Sequence, residues 1–194
     1  VYSNGNLLGT ALVGNTGTWV FTPPALAEGN NVLTIRETDP AGNESGLSTG
    51  FTIVVDTVST TPAITNVTDN VGNAATTIVS GDPTNDATPT LSGTAEANSV
   101  VKIFDGGTQI AVVTADGTGA WTFTPDTALG EGPHAFTVTA TDPQGNVSQV
   151  SNGWNVVVDL TAPTVPTLDT VNDNAPGGVT GNLTSGQVTN DTTP

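Results

Sequence analysis

The sequence predicts an all-β protein built from tandem β-sandwich repeats, and three observations lead to this prediction. Short runs rich in Val, Ile and Thr lie between clusters of Gly, Pro, Asn and Asp, as in short strands joined by tight turns. No stretch shows apolar residues at helical spacing. Whole phrases of the sequence recur about 103 residues apart, which is the length of one β-sandwich domain.

The composition excludes several classes of function. The 194 residues include 18 acidic and two basic residues, for a formal net charge of −16. Nucleic acid and anionic membrane surfaces are bound through Lys and Arg, so neither is an expected partner, whereas cations are. The chain has no Cys, which excludes disulfides and thiol chemistry, and its apolar runs are too short for membrane insertion.

The recurring phrases divide the chain into three repeats. Matching phrases begin at residues 16 and 118, 27 and 130, 51 and 154, 61 and 165, and 80 and 185. By this alignment, residues 57–159 form one complete repeat. Residues 1–56 form a partial repeat that lacks its first strands, and residues 160–194 form the start of a third. A sandwich without all its strands exposes its core face, so we expect the chain to be part of a longer array.

The complete repeat contains seven predicted strands, each a run rich in β-branched or aromatic residues between turn formers. In order they cover residues 63–68, 88–94, 99–104, 109–114, 120–124, 134–141 and 154–158. The turns between them include DGG at 105–107, ADGTG at 115–119 and DPQGN at 142–146. Alternation in the fifth and sixth strands directs Trp121, Phe123, Phe136 and Val138 to one face, which we predict to be the core. The aligned residues of the first repeat keep the same phase: Trp19, Phe21, Leu33 and Ile35.

Strand order places the acidic loop residues at the two ends of the repeat. Alternate loops return to the end at which the repeat begins, and these contain Glu96, Asp116, Asp142 and Asn146. The remaining loops lie at the opposite end, with Asp69, Asp86, Asp105, Asp126 and Glu131. The linkers add Asp56 and Asp159, each just after the last strand of a repeat. Two repeats that meet end to end would repel each other without a counter-charge between them.

The most conspicuous recurring phrase is polar. ETDPAGNES occupies residues 37–45, and ATDPQGNVS occupies residues 140–148. Its Asp and Asn side chains and its backbone carbonyls are the oxygen ligands that calcium takes. Asp-Pro and Gly-Asn are also ordinary turn formers, so a plain turn is the alternative interpretation. The Asp spacing does not fit an EF-hand loop.

The repeat resembles the bacterial Ig-like repeats of giant biofilm-associated surface adhesins, which are exported by type I secretion. The phrases that carry the resemblance include TNDATPTLSGTAEANSVVKIFDGG, DGTGAWTFTP and GPHAFTVTATDPQGNVS. The resemblance implies an Ig-like sandwich, a location outside the cell at the bacterial surface, and calcium between successive repeats. It further implies that the repeats form an elongated rod that supports adhesion and biofilm formation. Its partners would be neighbouring repeats, with host or abiotic surfaces contacted through other parts of the protein.

Carried onto this sequence, the resemblance implies calcium ligands in both linkers and in the loops. The residues are Asp56, Asp159, Asp69, Asp86 and Asp142. The placement of the loops adds Glu96 and Asn146 to the first junction, beside Asp56 and Asp142. Asp159, Asp69 and Asp86 belong to the second junction. The linkers read DTVSTTP and DLTAPTVP, which departs from the frequent DTTPP form of the family.

We expect the chain to have no catalytic activity, because it has no Cys and only one His, His134. His134 aligns with Asn31 of the first repeat and is predicted to lie at a solvated strand end, while Lys102 and Arg36 are predicted to face outward. The leading functional hypothesis is a structural extension repeat. The alternative is a repeat that itself binds a ligand such as a glycan, which would need an exposed aromatic or polar patch.

Overall fold

The computed structural model describes residues 1–72, 75–176, 181–188, 190 and 192, and this part of the chain contains strands and turns but no helix. None of it therefore forms a helix able to cross a membrane. The chain divides into two compact units, Val1–Leu160 and Thr161–Pro194. The strands are β1 (Tyr2–Ser3), β2 (Asn6–Leu7), β3 (Gly29–Thr34), β4 (Phe51–Val55), β5 (Ala63–Asp69), β6 (Thr76–Thr77), β7 (Pro83–Thr84), β8 (Thr90–Thr94), β9 (Val100–Asp105), β10 (Thr108–Thr114), β11 (Ala120–Phe123), β12 (Gly132–Thr141), β13 (Trp154–Val158), β14 (Val171–Asp173) and β15 (Gly181–Leu183).

The complete repeat is a two-sheet sandwich, which confirms the predicted all-β fold class. One sheet has the order β10-β9-β12-β13-β7, and the other has the order β11-β8-β5-β6. Apolar side chains from both sheets fill the space between them, and alternating residues along each strand face outward. As predicted, Trp121 and Phe136 belong to this core, with exposures of 4% and 0%. Fully buried Val67, Leu91 and Ile103 pack in the same cluster.

All seven predicted strands of the complete repeat are present, with ends shifted by up to two residues. Two further strands, β6 and β7, were not predicted because each is only two residues long and shows no alternation. Pro83 opens β7, where its missing N–H is tolerated because β7 lies at the sheet edge. Here β7 pairs with β13 in parallel, whereas the pairings between the other strands are antiparallel.

The first repeat forms one sheet, and this sheet follows the plan of its counterpart in the complete repeat. Its strands have the order β2-β1-β3-β4, and by the sequence alignment they are the counterparts of β10, β9, β12 and β13. The pairing of β3 with β4 also matches that of β12 with β13, since Gly29 lies opposite Val55 as Gly132 lies opposite Val158. The repeated sequence therefore forms the same sheet in both repeats.

The second sheet does not recur in the first repeat, so one expectation was wrong. Residues 16–23, which align with β11, form no strand, and Trp19 is 41% exposed where Trp121 is 4% exposed. The reason is that β11 pairs only with β8, and no strand of residues 1–56 occupies the position of β8. Without that neighbouring strand, the backbone N–H and C=O groups of residues 16–23 have no sheet to pair with. The missing second sheet also leaves Ile35, outside this segment, 38% exposed.

His134 was also predicted incorrectly. It does not lie at a solvated strand end: its side chain is 13% exposed and is paired with Asp105. Its ring stacks on Phe136 with 6.1 Å between centroids. The prediction that Lys102 and Arg36 face outward is confirmed, since both are exposed.

In the second unit, β14 and β15 form an antiparallel pair. This pair is the counterpart of β5 and β6, because Asp173 lies opposite Gly181 much as Asp69 lies opposite Thr76. The start of the third repeat therefore follows the strand plan of the complete one.

Candidate metal centre

The loop after β12 is closed by one carboxylate and one amide. Asp142 accepts hydrogen bonds from the N–H groups of Gln144 and Asn146 at 3.0 and 2.8 Å, and from Asn146 Nδ2 at 2.8 Å. The backbone N–H of Asp142 donates to the carbonyl of Asn146, while Gly145 at φ 96° lets the chain reverse. The loop is therefore held by its own side chains before any ligand is considered.

The same loop forms in the first repeat with the same contacts. Asp39 accepts from the N–H groups of Ala41 and Asn43 and from Asn43 Nδ2, at 2.9, 2.8 and 2.8 Å. The hydrogen bond from the Asn43 side chain is the main cause that lowers the pKa of Asp39. Burial opposes ionisation of Asp142, but its hydrogen bonds from Asn146 and Gln144 outweigh this and lower the pKa of Asp142. Both loops thus present an ionised carboxylate.

Asn146 also binds the linker that enters the complete repeat. Its Nδ2 atom lies 3.1 Å from the carbonyl oxygen of Asp56, and 2.8 Å from Asp142 Oδ2. Further along the linker, the N–H of Thr60 lies 3.5 Å from Glu96 Oε2, in the loop after β8. The linker is therefore fixed against two loops at the end of the sandwich where the repeat begins.

Three carboxylates converge at this place. Oxygens of Asp56, Glu96 and Asp142 all lie within 4.8 Å of one another. Asp142 is buried, and the other two residues are half-buried. The two basic side chains lie elsewhere: Arg36 pairs with Glu44 at 2.6 Å, and Lys102 is exposed on β9. Because no Lys or Arg balances them, the three carboxylates repel one another, and the arrangement favours a bound cation.

Four of the seven predicted ligand residues meet at this site: Asp56, Glu96, Asp142 and Asn146. They come from a linker and from the loops after β8 and β12, which the antiparallel pairings bring to one end of the sandwich. We call this group of four the junction cluster. Its oxygen donors suit a hard divalent cation, and none of its side chains contributes nitrogen or sulfur as a metal ligand.

The other three predicted ligands gather around Thr84 but do not form a second group of carboxylates among the residues that the structure describes. The Thr84 hydroxyl donates to Asp69 at 2.7 Å and accepts from the Asp86 N–H at 3.0 Å. The Asp159 N–H donates to the carbonyl of Thr84 at 2.9 Å. The Asp86 side chain is 1% exposed and accepts from the N–H groups of Asn70 and Thr88, both at 2.7 Å. It therefore acts as an internal cap for its loop.

Two serines in the loop after β12 were not identified from the sequence. The hydroxyls of Ser148 and Ser151 accept hydrogen bonds from the N–H groups of Ala140 and Val138, each at 2.9 Å. The backbone N–H groups of the same serines donate to the carbonyls of the same residues. Ser45 and Ser48 make the equivalent bonds to Glu37 and Ile35. The signal in the sequence is the shared spacing GNxSxxSxG at 42–50 and 145–153.

The comparisons with known proteins identify a family. The family model for the bacterial Ig-like domain matches residues 1–57 and 61–160. No curated protein matches the chain. One similar solved structure is named "Biofilm associated protein - BSP domain"; it is 26% identical, the TM-score is 0.37, and the match covers 84% of this chain and 24% of that one. The family matches extend over most of the sequence in two consecutive copies, and the chain therefore belongs to the bacterial Ig-like domain family.

Proposed function

We propose that this chain is a structural extension segment of a bacterial cell-surface adhesin, stiffened by calcium bound at the junction between its repeats. The observation that supports the proposal is the junction cluster. Asp56 comes from the linker after the first repeat, whereas Glu96 and Asp142 come from the second repeat. A cation held by all three carboxylates would therefore tie one repeat to the next.

Calcium is the cation that fits this set of donors best. It takes six to eight oxygen ligands from carboxylates, carbonyls, amides and water, in flexible geometry. The junction cluster offers three carboxylates within 4.8 Å of one another. Asn146 adds an amide, held beside them by its bonds to Asp56 and Asp142. Water would complete the shell, since two of the three carboxylate residues are only half-buried.

The expected affinity matches a protein that works outside the cell. Extracellular calcium modules bind with dissociation constants on the order of 10⁻⁴–10⁻³ M. A site of this strength empties in the bacterial cytosol and fills outside. The junction would thus remain flexible until export and become rigid at the cell surface, which would suit a chain exported unfolded by type I secretion. An elongated array of such repeats would hold a distal adhesive part away from the cell and contribute to biofilm formation.

A non-enzymatic role accords with the chemistry of the chain. It has no Cys, and the two ring nitrogens of its one His are already in contact with Asp105 and Gly130. A cleft of about 790 Å³ lies beside β10 and the segment 124–130. Its lining is mostly apolar, and within it His134 already pairs with Asp105.

Calorimetric titration of the whole chain with calcium tests the proposal. Glu96→Gln keeps the size of the side chain but removes one charge of the cluster, so we expect it to weaken calcium binding at least tenfold. Without calcium the same variant should be more stable than the natural chain, because repulsion is relieved. For the natural chain, about 10 mM calcium should add about 1.4–2.7 kcal/mol of stability at the affinity expected above.

The repeated loop provides a matched control. Asp39→Ser removes the same turn-forming carboxylate as Asp142→Ser, but Asp39 is not one of the three carboxylates of the junction cluster. Only Asp142→Ser should abolish calcium binding. Small-angle scattering should show a maximum dimension that rises with calcium and falls with chelator, with a smaller response in Glu96→Gln. Equal calcium responses from Asp39→Ser and Asp142→Ser, or no binding at millimolar calcium, would contradict the proposal.

A further inference from the structure

The imidazole of His134 lies between two hydrogen-bond acceptors. Its Nδ1 atom is 2.6 Å from Asp105 Oδ2, at the end of β9, and its Nε2 atom is 2.8 Å from the carbonyl oxygen of Gly130. A neutral imidazole has one N–H and cannot donate to both. The two contacts together need one further proton, shared by the ring and the Asp105 carboxylate. That proton resides on the ring, because imidazole is the stronger base.

The first repeat builds the same bridge without a titratable group. Asn31 Nδ2 donates to the carbonyl of Ala27 at 2.7 Å, and Asn31 Oδ1 accepts from the Ser3 hydroxyl at 3.2 Å. By the sequence alignment Asn31 is the counterpart of His134. In the same alignment, Ala27 and Ser3 are the counterparts of Gly130 and Asp105. The side chain of Asn31 is buried. Because an amide does not titrate, Asn31 can donate one hydrogen bond and accept the other at every pH.

We propose that His134 is a pH-sensitive latch, which when protonated fastens the segment 124–131 to the end of β9. Asn31 and Ser3 form the permanent version of this latch in the first repeat. There, the segment so fastened includes Glu28, whose carboxylate binds the N–H and hydroxyl of Thr57 in the linker at 2.9 and 2.7 Å. In the first repeat, the permanent latch therefore acts on the segment that meets the outgoing linker.

The charges around the ring favour its protonated form. Asp105 contacts it from β9, Asp126 lines the same cleft from the segment 124–131, and Glu131 lies in that segment too. The neighbouring strands β10 and β13 have no titratable residue. Lys102 lies further along β9, opposite Thr139. Every ionisable side chain close to His134 is therefore acidic.

The direction of the pH dependence follows from this arrangement. Burial of the ring opposes its charge, but the hydrogen bonds to Asp105 and to the Gly130 carbonyl, with the charge of Asp105, raise the pKa of His134 above 6.5. A group whose pKa is raised by folding stabilises the fold fully below its unfolded pKa, here about 6.5. That stability is lost as the pH rises through the pKa of the folded state.

The single His makes a direct test practical. Nitrogen-15 NMR of the whole chain, with excess chelator to exclude metal effects, should show both ring nitrogens protonated at pH 6.5 in more than half of the molecules. In urea denaturation, the stability of the complete repeat should fall as the pH rises from about 6.5 through the raised pKa of His134. The double variant Asp105→Ser/His134→Asn recreates the pair of the first repeat, and its stability should not change over this range.

The outcomes separate the latch from a merely structural pair. A titration of His134 at or below pH 6.5 would overturn the proposal. So would a pH slope that persists unchanged in the double variant. Should the double variant fail to fold, His134→Gln provides a second measurement, since glutamine also lacks the titration and should flatten the slope. The test does not depend on calcium, so the latch and the junction cluster can fail separately.

Discussion

At the scale of the residue, close packing explains why a position requires a particular amino acid when the sequence pattern gives no reason for it. Alternation along β11 placed Trp121 in the core, but nothing in the pattern indicated what lies against its ring. The structure places Gly93 of β8 there. A Cβ atom at Gly93 would overlap both the carbonyl oxygen of Ala63 and the Trp121 ring. The constraint arises from two other strands, so it could not be predicted from the residues around Gly93.

We therefore expect Gly93→Ala to destabilise the complete repeat by about 3 kcal/mol, since backbone cannot move aside as a flexible side chain can. Gly117→Ala is the control, because a Cβ atom there meets no atom within 4 Å. Urea denaturation followed by Trp fluorescence measures both. Equal stability of the two variants would show that β8 and β11 can separate without loss of packing.

At the scale of the element, strands with alternation were predictable and segments held by side chains were not. Strand β13 was predicted with its observed ends, because its run of Trp and Val residues is rich in β-formers and follows the turn former Gly153. The loop after β12 folds back and pairs with β12 itself through serine hydroxyls, which no strand pattern reveals. The segment 16–23 shows the opposite case. Its aromatic residues occupy alternate positions, as in a strand, but the neighbouring strand with which it would pair is not present.

The serine pairing leads to a comparison between the repeats. Ser151→Ala leaves the N–H of fully buried Val138 without its side-chain acceptor, and this should cost about 1–3 kcal/mol. Ser48→Ala removes the equivalent bond to Ile35, but that N–H is exposed and can bind water, so the cost should be below about 1 kcal/mol. Urea denaturation monitored by amide resonances of each repeat measures both costs. A larger effect at Ser48 would contradict this explanation.

At the scale of the whole molecule, charge is the dominant property. The sequence was sufficient to place four acidic or amide side chains at one junction, because strand order alone fixes which loops share an end. The sequence was not sufficient to predict how Asp69, Asp86 and Asp159 are arranged. Whether Asp86 points outward or, as observed, caps its own loop from within depends on the packing of Thr84 and Asn70 around it.

We expect the charge to make stability depend on salt. In chelator, raising sodium chloride to about 0.5 M shortens the Debye length to a few ångströms and screens the net charge of −16, so the chain should become more stable. Glu96→Gln should reduce this dependence, because one of the closest repulsions is already absent. Thermal unfolding at several salt concentrations, with and without chelator, measures it. A salt response equal in both chains would show that the junction cluster is not where repulsion is concentrated.

The parallel pairing of β7 with β13 has a consequence when the chain is under tension. Val157 and Val158 lie beside Pro83 and Thr84, and the N–H of Asp159 donates to Thr84 just beyond them. A pull that separates the two ends of the repeat draws β13 toward its carboxyl end and β7 toward its amino end. Because the strands run the same way, the pull shears their hydrogen bonds together and does not open them one at a time. The complete repeat should therefore resist extension at the strand pair nearest its outgoing linker, through residues that are in neither the junction cluster nor the latch.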